Sequence, residues 1–239
     1  MKMIMMAAGI GTRISREISK PKSLLPVYGS KSLIRYTVEM LQRAGIEVVV
    51  IVGYQQELFF KDLEGLGVKF YSNPFYRVTN SIASLWFARE ELAVNDDVLL
   101  ANADVYFEEK ILEALITSEH EITLLADYTR ISEGDYFFVC QNGFIKKYGK
   151  DLTVDERTCE YVGAAKISRS YLGKFSEDLK NMIDDENYQT WWETILYSQC
   201  DHVNLFAKDI SPMFWAEIDY IEDYQRIVNY VEHKQNIGR

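Results

Sequence analysis

Residues 3–26 read MIMMAAGIGTRISREISKPKSLLP, and this stretch decides the fold. Met3 to Met6 is a short apolar run of strand type. A turn of small residues follows, Ala7-Ala8-Gly9-Ile10-Gly11-Thr12-Arg13, and Lys22 comes nine residues after Arg13, behind Pro21. Glycines let a backbone pass close to a ligand or take positive φ. Successive backbone N–H groups in such a turn form a concave anion site. Arg13 and Lys22 add two cations to it. A strand, a glycine turn and two basic side chains suit a polyphosphate that is bound and then cleaved.

Two other phosphate loops fail on spacing. A dinucleotide fingerprint needs a third glycine three residues after the second, and that position is Ile14. A Walker loop ends in Gly-Lys followed by Ser or Thr, and no glycine here is followed that way.

Outward from the loop, strand and helix patterns alternate. Leu33, Ile34, Val38, Leu41 and Ala44 mark a helix that Gly45 ends. Residues 47–52, EVVVIV, read as a buried parallel strand. A short helix over 55–63, a strand over 68–71 and a helix from Thr79-Asn80-Ser81 to about Leu92 follow, with Asn80 or Thr79 as N-cap. Strands at 97–101 and 121–126 flank a helix over 108–117. This predicts parallel strands joined by helical crossovers, with ligands at the carboxyl ends of the strands. Beyond, Gln141-Asn142-Gly143 signals a hairpin between 136–140 and 144–148. Strands are expected at 161–167 and 202–206, and helices at 169–182, 189–198 and 222–233. The reading is one α/β domain over 1–239, a Rossmann-like mixed, mostly parallel sheet flanked by helices. About 1–126 forms a nucleotide-binding portion and about 127–239 an acceptor-binding portion.

The chain has 239 residues, 48% of them apolar, enough for a well-buried core. Its net charge of −10 argues against nucleic acid, which needs a basic surface. A nucleotide is still compatible, since local cations set the sign of one site. No apolar run reaches the roughly 18 residues of a membrane span, and the start lacks a signal peptide's length and cleavage site. Cys140, Cys159 and Cys200 show no metal spacing. Reduced cysteines and a cytoplasmic location follow.

Two carboxylates stand out as metal candidates. Asp104 follows the apolar strand Val98 to Ala101 directly, and a turn residue capping the next helix would look the same. Asp219 lies in the run 215–224, WAEIDYIEDY, where Glu217 shares its face if the segment is a strand. A charged helix start is the plainer reading of that run. Mg²⁺ takes only one or two protein carboxylates beside phosphate oxygens and water, so one Asp from each half suffices.

The pattern G-x-G-T-R followed by P-K-S-L-L-P resembles the signature of the nucleotidyltransferases (pyrophosphorylases) that make nucleotide-activated sugars and alcohols. That resemblance implies a GT-A-like nucleotidyltransferase fold and a Mg²⁺ cofactor held by Asp104 and Asp219. Arg13 matches the arginine at the departing phosphates, and Lys22 the lysine at the α-phosphate. The nucleotide is expected against Ala7, Ala8, Gly9, Gly11, Thr12, Arg13, Lys22, Asn80, Ser84 and Asn102. Ala103-Asp104 departs from the usual Gly-Asp but keeps the carboxylate. No Ser-His or Cys-His pair is expected, because an acceptor phosphate is already a nucleophile and the work is positioning and charge neutralisation.

Within that family, Asn73-Pro74-Phe75-Tyr76 with Thr79-Asn80-Ser81, and Trp191-Trp192-Glu193, look like the cytidylyltransferases of phosphocholine-type acceptors. The ligands implied are CTP and a small phosphorylated amine, amino-alcohol or amino acid, on a monomer or homodimer with no nucleic acid and no membrane. Aromatic faces attract ammonium groups. Trp191, Trp192 and Glu193, with Tyr136, Glu160 and Tyr161, are therefore acceptor candidates, although tryptophans on a helix pack in cores more often than they cage ligands. Lys166 suits either an acceptor phosphate or the surface. A sugar-1-phosphate nucleotidyltransferase using UTP or dTTP for surface polysaccharide precursors is the enzymatic rival, and a non-catalytic nucleotide-binding homologue the other. The chain also ends soon after Asp219, without the long extension of some sugar enzymes.

Overall fold

The computed structural model describes residues 1–11, 13 and 18–237. Thr12, expected against the nucleotide, lies outside the described residues. Strand β1 (Lys2–Ala7) is buried on both faces because it runs mid-sheet. Met3 and Met5 point to one side, Ile4 and Met6 to the other. A two-stranded ribbon, β2 (Pro26–Tyr28) and β3 (Lys31–Ser32), leads into α1 (Leu33–Arg43), whose N-cap Ser32 accepts the Arg35 N–H at 3.1 Å. Ile34, Val38 and Leu41 of α1 pack on Met3 and Met5 in one core layer.

Strand β4 (Glu47–Val52) pairs parallel with β1, α2 (Gln56–Asp62) follows, and β5 (Lys69–Ser72) pairs parallel with β4. Helix α3 (Ser81–Phe87) starts at Asn80, whose side chain accepts the Ser81 N–H at 2.8 Å. Ile82 and Leu85 of this helix pack on Ile4 and Met6, forming the second layer. Strand β6 (Val98–Asn102) pairs parallel with β1 on its other side.

After β6 come β7 (Val105–Phe107), α4 (Glu109–Ile116), β8 (Ile122–Asp127) and the hairpin of β9 (Phe137–Gln141) and β10 (Phe144–Gly149). Strand β11 (Cys159–Ile167) is followed by α5 (Leu172–Asp184), α6 (Thr194–Tyr197), β12 (Leu205–Asp209), β13 (Trp215–Glu217) and α7 (Ile221–Ile237). The nine-stranded sheet runs β5-β4-β1-β6-β11-β8-β12-β10-β9.

The four strands β5-β4-β1-β6 are parallel, as the alternating pattern predicts. The second half differs. Strand β11 enters antiparallel between β6 and β8, and it also pairs with β9. That extra pairing curls β11-β8-β12-β10-β9 back on itself. An apolar run carries no direction, so this insertion is invisible in sequence. The helix expected over 189–198 is a single turn, Thr194–Tyr197, and Trp191 and Trp192 stand before it.

Candidate functional site

The cleft lies at the carboxyl ends of β1, β4 and β6, and it encloses about 520 Å³. Register brings those ends level. Met6 pairs with Asn102 and Ala7 with Val52, and the Ala103 N–H bonds the Met6 carbonyl at 3.1 Å. The loop after β1 therefore lies beside the turn after β6. Gly53, following β4, has to be glycine. A Cβ there would stand 2.8 Å from the Ala8 carbonyl and 2.9 Å from Tyr76 Cβ. At Gly11 (φ +68°) a Cβ would meet Lys22 Cγ at 2.9 Å, so loop and lysine stem are packed together.

A small ribbon joins the two metal candidates. Strands β7 and β13 pair antiparallel, Val105 opposite Glu217, and the Ile218 N–H bonds the Asp104 carbonyl at 3.0 Å. Asp104 precedes one strand of this ribbon and Asp219 follows the other. Asp219 and Tyr220 donate their N–H groups to Asp223 at the start of α7, which fixes that corner.

Lys22 stands between the two carboxylates. Its Nζ lies 3.1 Å from Asp104 Oδ2 and 2.6 Å from Asp219 Oδ1. Arg13 Nη1 lies 2.6 Å from Asp219 Oδ2 and 3.7 Å from Asp135 Oδ2. Burial alone would lower the Lys22 pKa, but Asp104 and Asp219 outweigh it and hold the ammonium above the usual lysine range. Asp219 likewise raises the Arg13 guanidinium. Glu217 is pushed well up by burial, then by Asp104 and Asp219. Lys22 and Arg13 thus neutralise Asp104 and Asp219 across the cleft.

The other end of the cleft is aromatic. Tyr136 stacks on Tyr197 with centroids 5.2 Å apart and meets Trp191 edge-on at 6.0 Å. Tyr161 lies edge-on to Tyr197 at 6.3 Å. Among these rings sits Glu193, 4% exposed, accepting Asn102 Nδ2 at 3.1 Å. Burial, with no cation bonded to it among the described residues, pushes its carboxyl up to about 7. The buried Tyr161 hydroxyl has no hydrogen-bond partner among the described residues.

The residues expected on the nucleotide side line this cleft, namely Ala7, Ala8, Gly9, Gly11, Arg13, Lys22, Asn80, Ser84 and Asn102. So do Asp104, Asp219, Tyr136, Glu160, Trp191 and Glu193. Trp192 does not. It is fully buried, with Nε1 donating to Asn102 Oδ1 at 3.0 Å, so it holds the asparagine that holds Glu193. Lys166 does not either. It sits near the end of antiparallel β11, opposite Leu99 at the far edge of the sheet from the cleft. There its Nζ bonds the carbonyls of Ile116 and Ser118 and faces Asp97 at 3.5 Å. It cannot reach an acceptor phosphate in the cleft. Sequence reasoning missed Asp135, Lys150 and Tyr197, all on the cleft wall. Asp135 and Lys150 flank the hairpin strands, and only the curled pairing of β9 with β11 brings them to the site.

Residues 3–138 match the MobA-like NTP transferase domain family. The chain belongs to that family. This nucleotidyltransferase is 26% identical to the choline-phosphate cytidylyltransferase of Streptococcus pneumoniae, over 98% of this chain and 100% of that one. It is 25% identical to the CTP:phosphoglutamine cytidylyltransferase of Campylobacter jejuni, over 94% of this chain and 98% of that one. A solved structure of the CTP:phosphocholine cytidylyltransferase from Streptococcus pneumoniae superposes with a TM-score of 0.78, covering 96% and 98% of the two chains. At 23% identity that superposition is a likeness of fold. No helix among the described residues is long and apolar enough to cross a membrane.

Proposed function

We propose that this nucleotidyltransferase is a Mg²⁺-dependent cytidylyltransferase that moves CMP from CTP to a small phosphorylated acceptor bearing an amine-derived cation. One observation carries the reading. A buried carboxylate, Glu193, bonded to Asn102 but to no cation among the described residues, sits in an aromatic box of Tyr136, Tyr161, Trp191 and Tyr197 in the same cleft as the phosphate loop. A buried carboxylate without a counter-cation is costly, and aromatic faces attract ammonium groups. An acceptor's cation satisfies both. The preference for CTP is drawn from the similar cytidylyltransferases above.

In the reaction an acceptor phosphate oxygen attacks the α-phosphorus of CTP, and the bond to the β-phosphate oxygen breaks, releasing pyrophosphate. No protein nucleophile is needed. Arg13 draws charge from the departing phosphates, and Lys22 bonds the α-phosphate oxygens as charge grows there. Both cations must leave Asp219 to do so, and Lys22 must also leave Asp104. The donor set fits Mg²⁺, because Asp104 and Asp219 already share a single cation, the Lys22 ammonium, and are hard oxygen donors. When bound there, the ion supplies charge neutralisation for the phosphates. Residues 1–126 would then serve the nucleotide and 127–239 the acceptor, in one cytoplasmic domain.

The test is pyrophosphate release over four triphosphates against phosphocholine, phosphoethanolamine, a phosphorylated amino acid and several sugar 1-phosphates. Turnover with CTP and an amine-bearing acceptor is expected. Turnover with UTP or dTTP and a sugar phosphate alone would replace this reading with the sugar-1-phosphate one.

A further inference from the structure

Glu160, at the start of β11, lines the acceptor end of the cleft, yet the protein itself engages its carboxylate. Oε2 accepts Arg130 Nε at 2.6 Å, and Oε1 accepts the Asp135 N–H at 3.1 Å. The side chain is only 6% exposed. The Gly134 backbone lies directly against it, since a Cβ at Gly134 would stand 2.4 Å from the carboxylate. Behind the pair, the Arg130 guanidinium sits 5.3 Å over the Trp215 ring. Trp215 Nε1 in turn donates to the buried Asp127 at 2.8 Å. The network thus ties the 130–135 loop to β13, the strand that leads to Asp219.

The residue after this anchored backbone is Tyr136, which stacks on Tyr197 and meets Trp191. A buried carboxylate that already binds a guanidinium and a backbone N–H has little left for a ligand cation. Taking it away would leave Arg130 uncompensated, which is costly. We propose that Glu160, held by Arg130, is the positioning residue of the acceptor wall: it fixes the Gly134–Tyr136 backbone and thereby the place of Tyr136 against Trp191. The kinetic part of this inference rests on the amine-bearing acceptor proposed above.

Two variants decide it, Arg130→Met and Gly134→Ala. Neither residue carries chemistry in the reaction. The readouts are hydrogen exchange at the 134–136 amides of the ligand-free protein and steady-state kinetics. Both variants are expected to speed exchange of the Asp135 amide. Both should raise acceptor KM by about fivefold or more, since small misplacements of binding groups cost up to about a hundredfold, while the KM for CTP stays within about twofold. If Glu160 instead meets the acceptor's cation directly, Arg130→Met frees the carboxylate and acceptor KM falls, which overturns the proposal. Unchanged exchange in both variants also overturns it. A wild-type enzyme inert with every amine-bearing acceptor would defeat the acceptor reading alone, because the exchange measurement still decides whether Glu160 anchors the loop.

Discussion

Lys22 and Asp219 stand 197 residues apart in sequence, yet Lys22 Nζ lies 2.6 Å from Asp219 Oδ1. The β7–β13 ribbon makes this possible, because it sets Asp104 and Asp219 side by side across from the loop that carries Lys22. The same lysine thus bridges both carboxylates and, in the proposed reaction, is a donor to the α-phosphate. Lys22→Ala is expected to cut kcat by about a hundredfold, the usual cost of losing one preorganised donor at developing charge. CTP binding, followed by calorimetry with a non-hydrolysable analogue, should weaken far less. Equal losses in binding and turnover would mean that Lys22 acts only on the ground state.

Asp104→Asn and Asp219→Asn should each abolish most turnover at ordinary Mg²⁺ concentration while leaving the far-UV circular dichroism unchanged. Neither residue is in the apolar core, so their removal deletes charge rather than packing. Near wild-type activity in either variant would exclude that carboxylate from the metal site.

How much of this was legible beforehand follows from what each signal encodes. The parallel half was readable because β1 and β4 are buried on both faces, which leaves continuous apolar runs, and because Asn80 announces a helix start chemically. The place of Asp104 on the cleft wall follows from its position just past a strand end. The second half was not readable, because the direction of β11 depends on partners far away in sequence. Lys166 shows the consequence: antiparallel insertion carries it away from the cleft, onto the carbonyls of Ile116 and Ser118. Asp135 and Lys150 sit in irregular segments whose positions depend on the hairpin. Trp191 and Trp192 precede the helix and do not lie on it, because the apolar spacing of Gln189 to Ser198 is satisfied equally by a single helical turn and the turn before it.

The two tryptophans separate packing from recognition. Trp192 is fully buried and Trp191 is 44% exposed on the cleft wall. Trp192→Ala should cost about 3–5 kcal/mol of stability, read in urea unfolding. Trp191→Leu should leave the unfolding midpoint nearly unchanged and raise acceptor KM about two- to thirtyfold, the range expected for a lost cation–π contact. If both variants shift only stability, the aromatic end of the cleft is scaffold.

Glu193 gives a pH signature. Burial pushes its carboxyl up to about 7 from the ordinary glutamate range. Below that pH the group is mainly neutral and attracts a cation weakly, and above it the carboxylate is charged. The kcat/KM for the acceptor should therefore rise with pH through about 7 and level off beyond it. An acceptor phosphate monoester titrates near about 6, so the two steps need separating. Glu193→Gln should abolish the step near 7 and leave the phosphate's own. An identical profile in the variant would show that Glu193 is silent in recognition.

Lys150 provides the last expectation. Its Nζ lies 2.7 Å from Asp135 Oδ2 and 5.2 Å from the centroid of the Trp191 ring. A cation of the chain itself therefore stands on the Trp191 face that, in the proposed function, an acceptor ammonium would use. On that reading the two compete, and the lysine's ion pair with Asp135 is part-exposed, worth about 0.2–1 kcal/mol. Lys150→Ala should accordingly lower the KM for a quaternary-ammonium acceptor by about 1.4- to fivefold, with CTP kinetics unchanged. An acceptor of similar size without the cation should show no such gain. A raised KM for both acceptors would mean that Lys150 binds their phosphate, and Trp191 would then have to meet the ammonium on its other face.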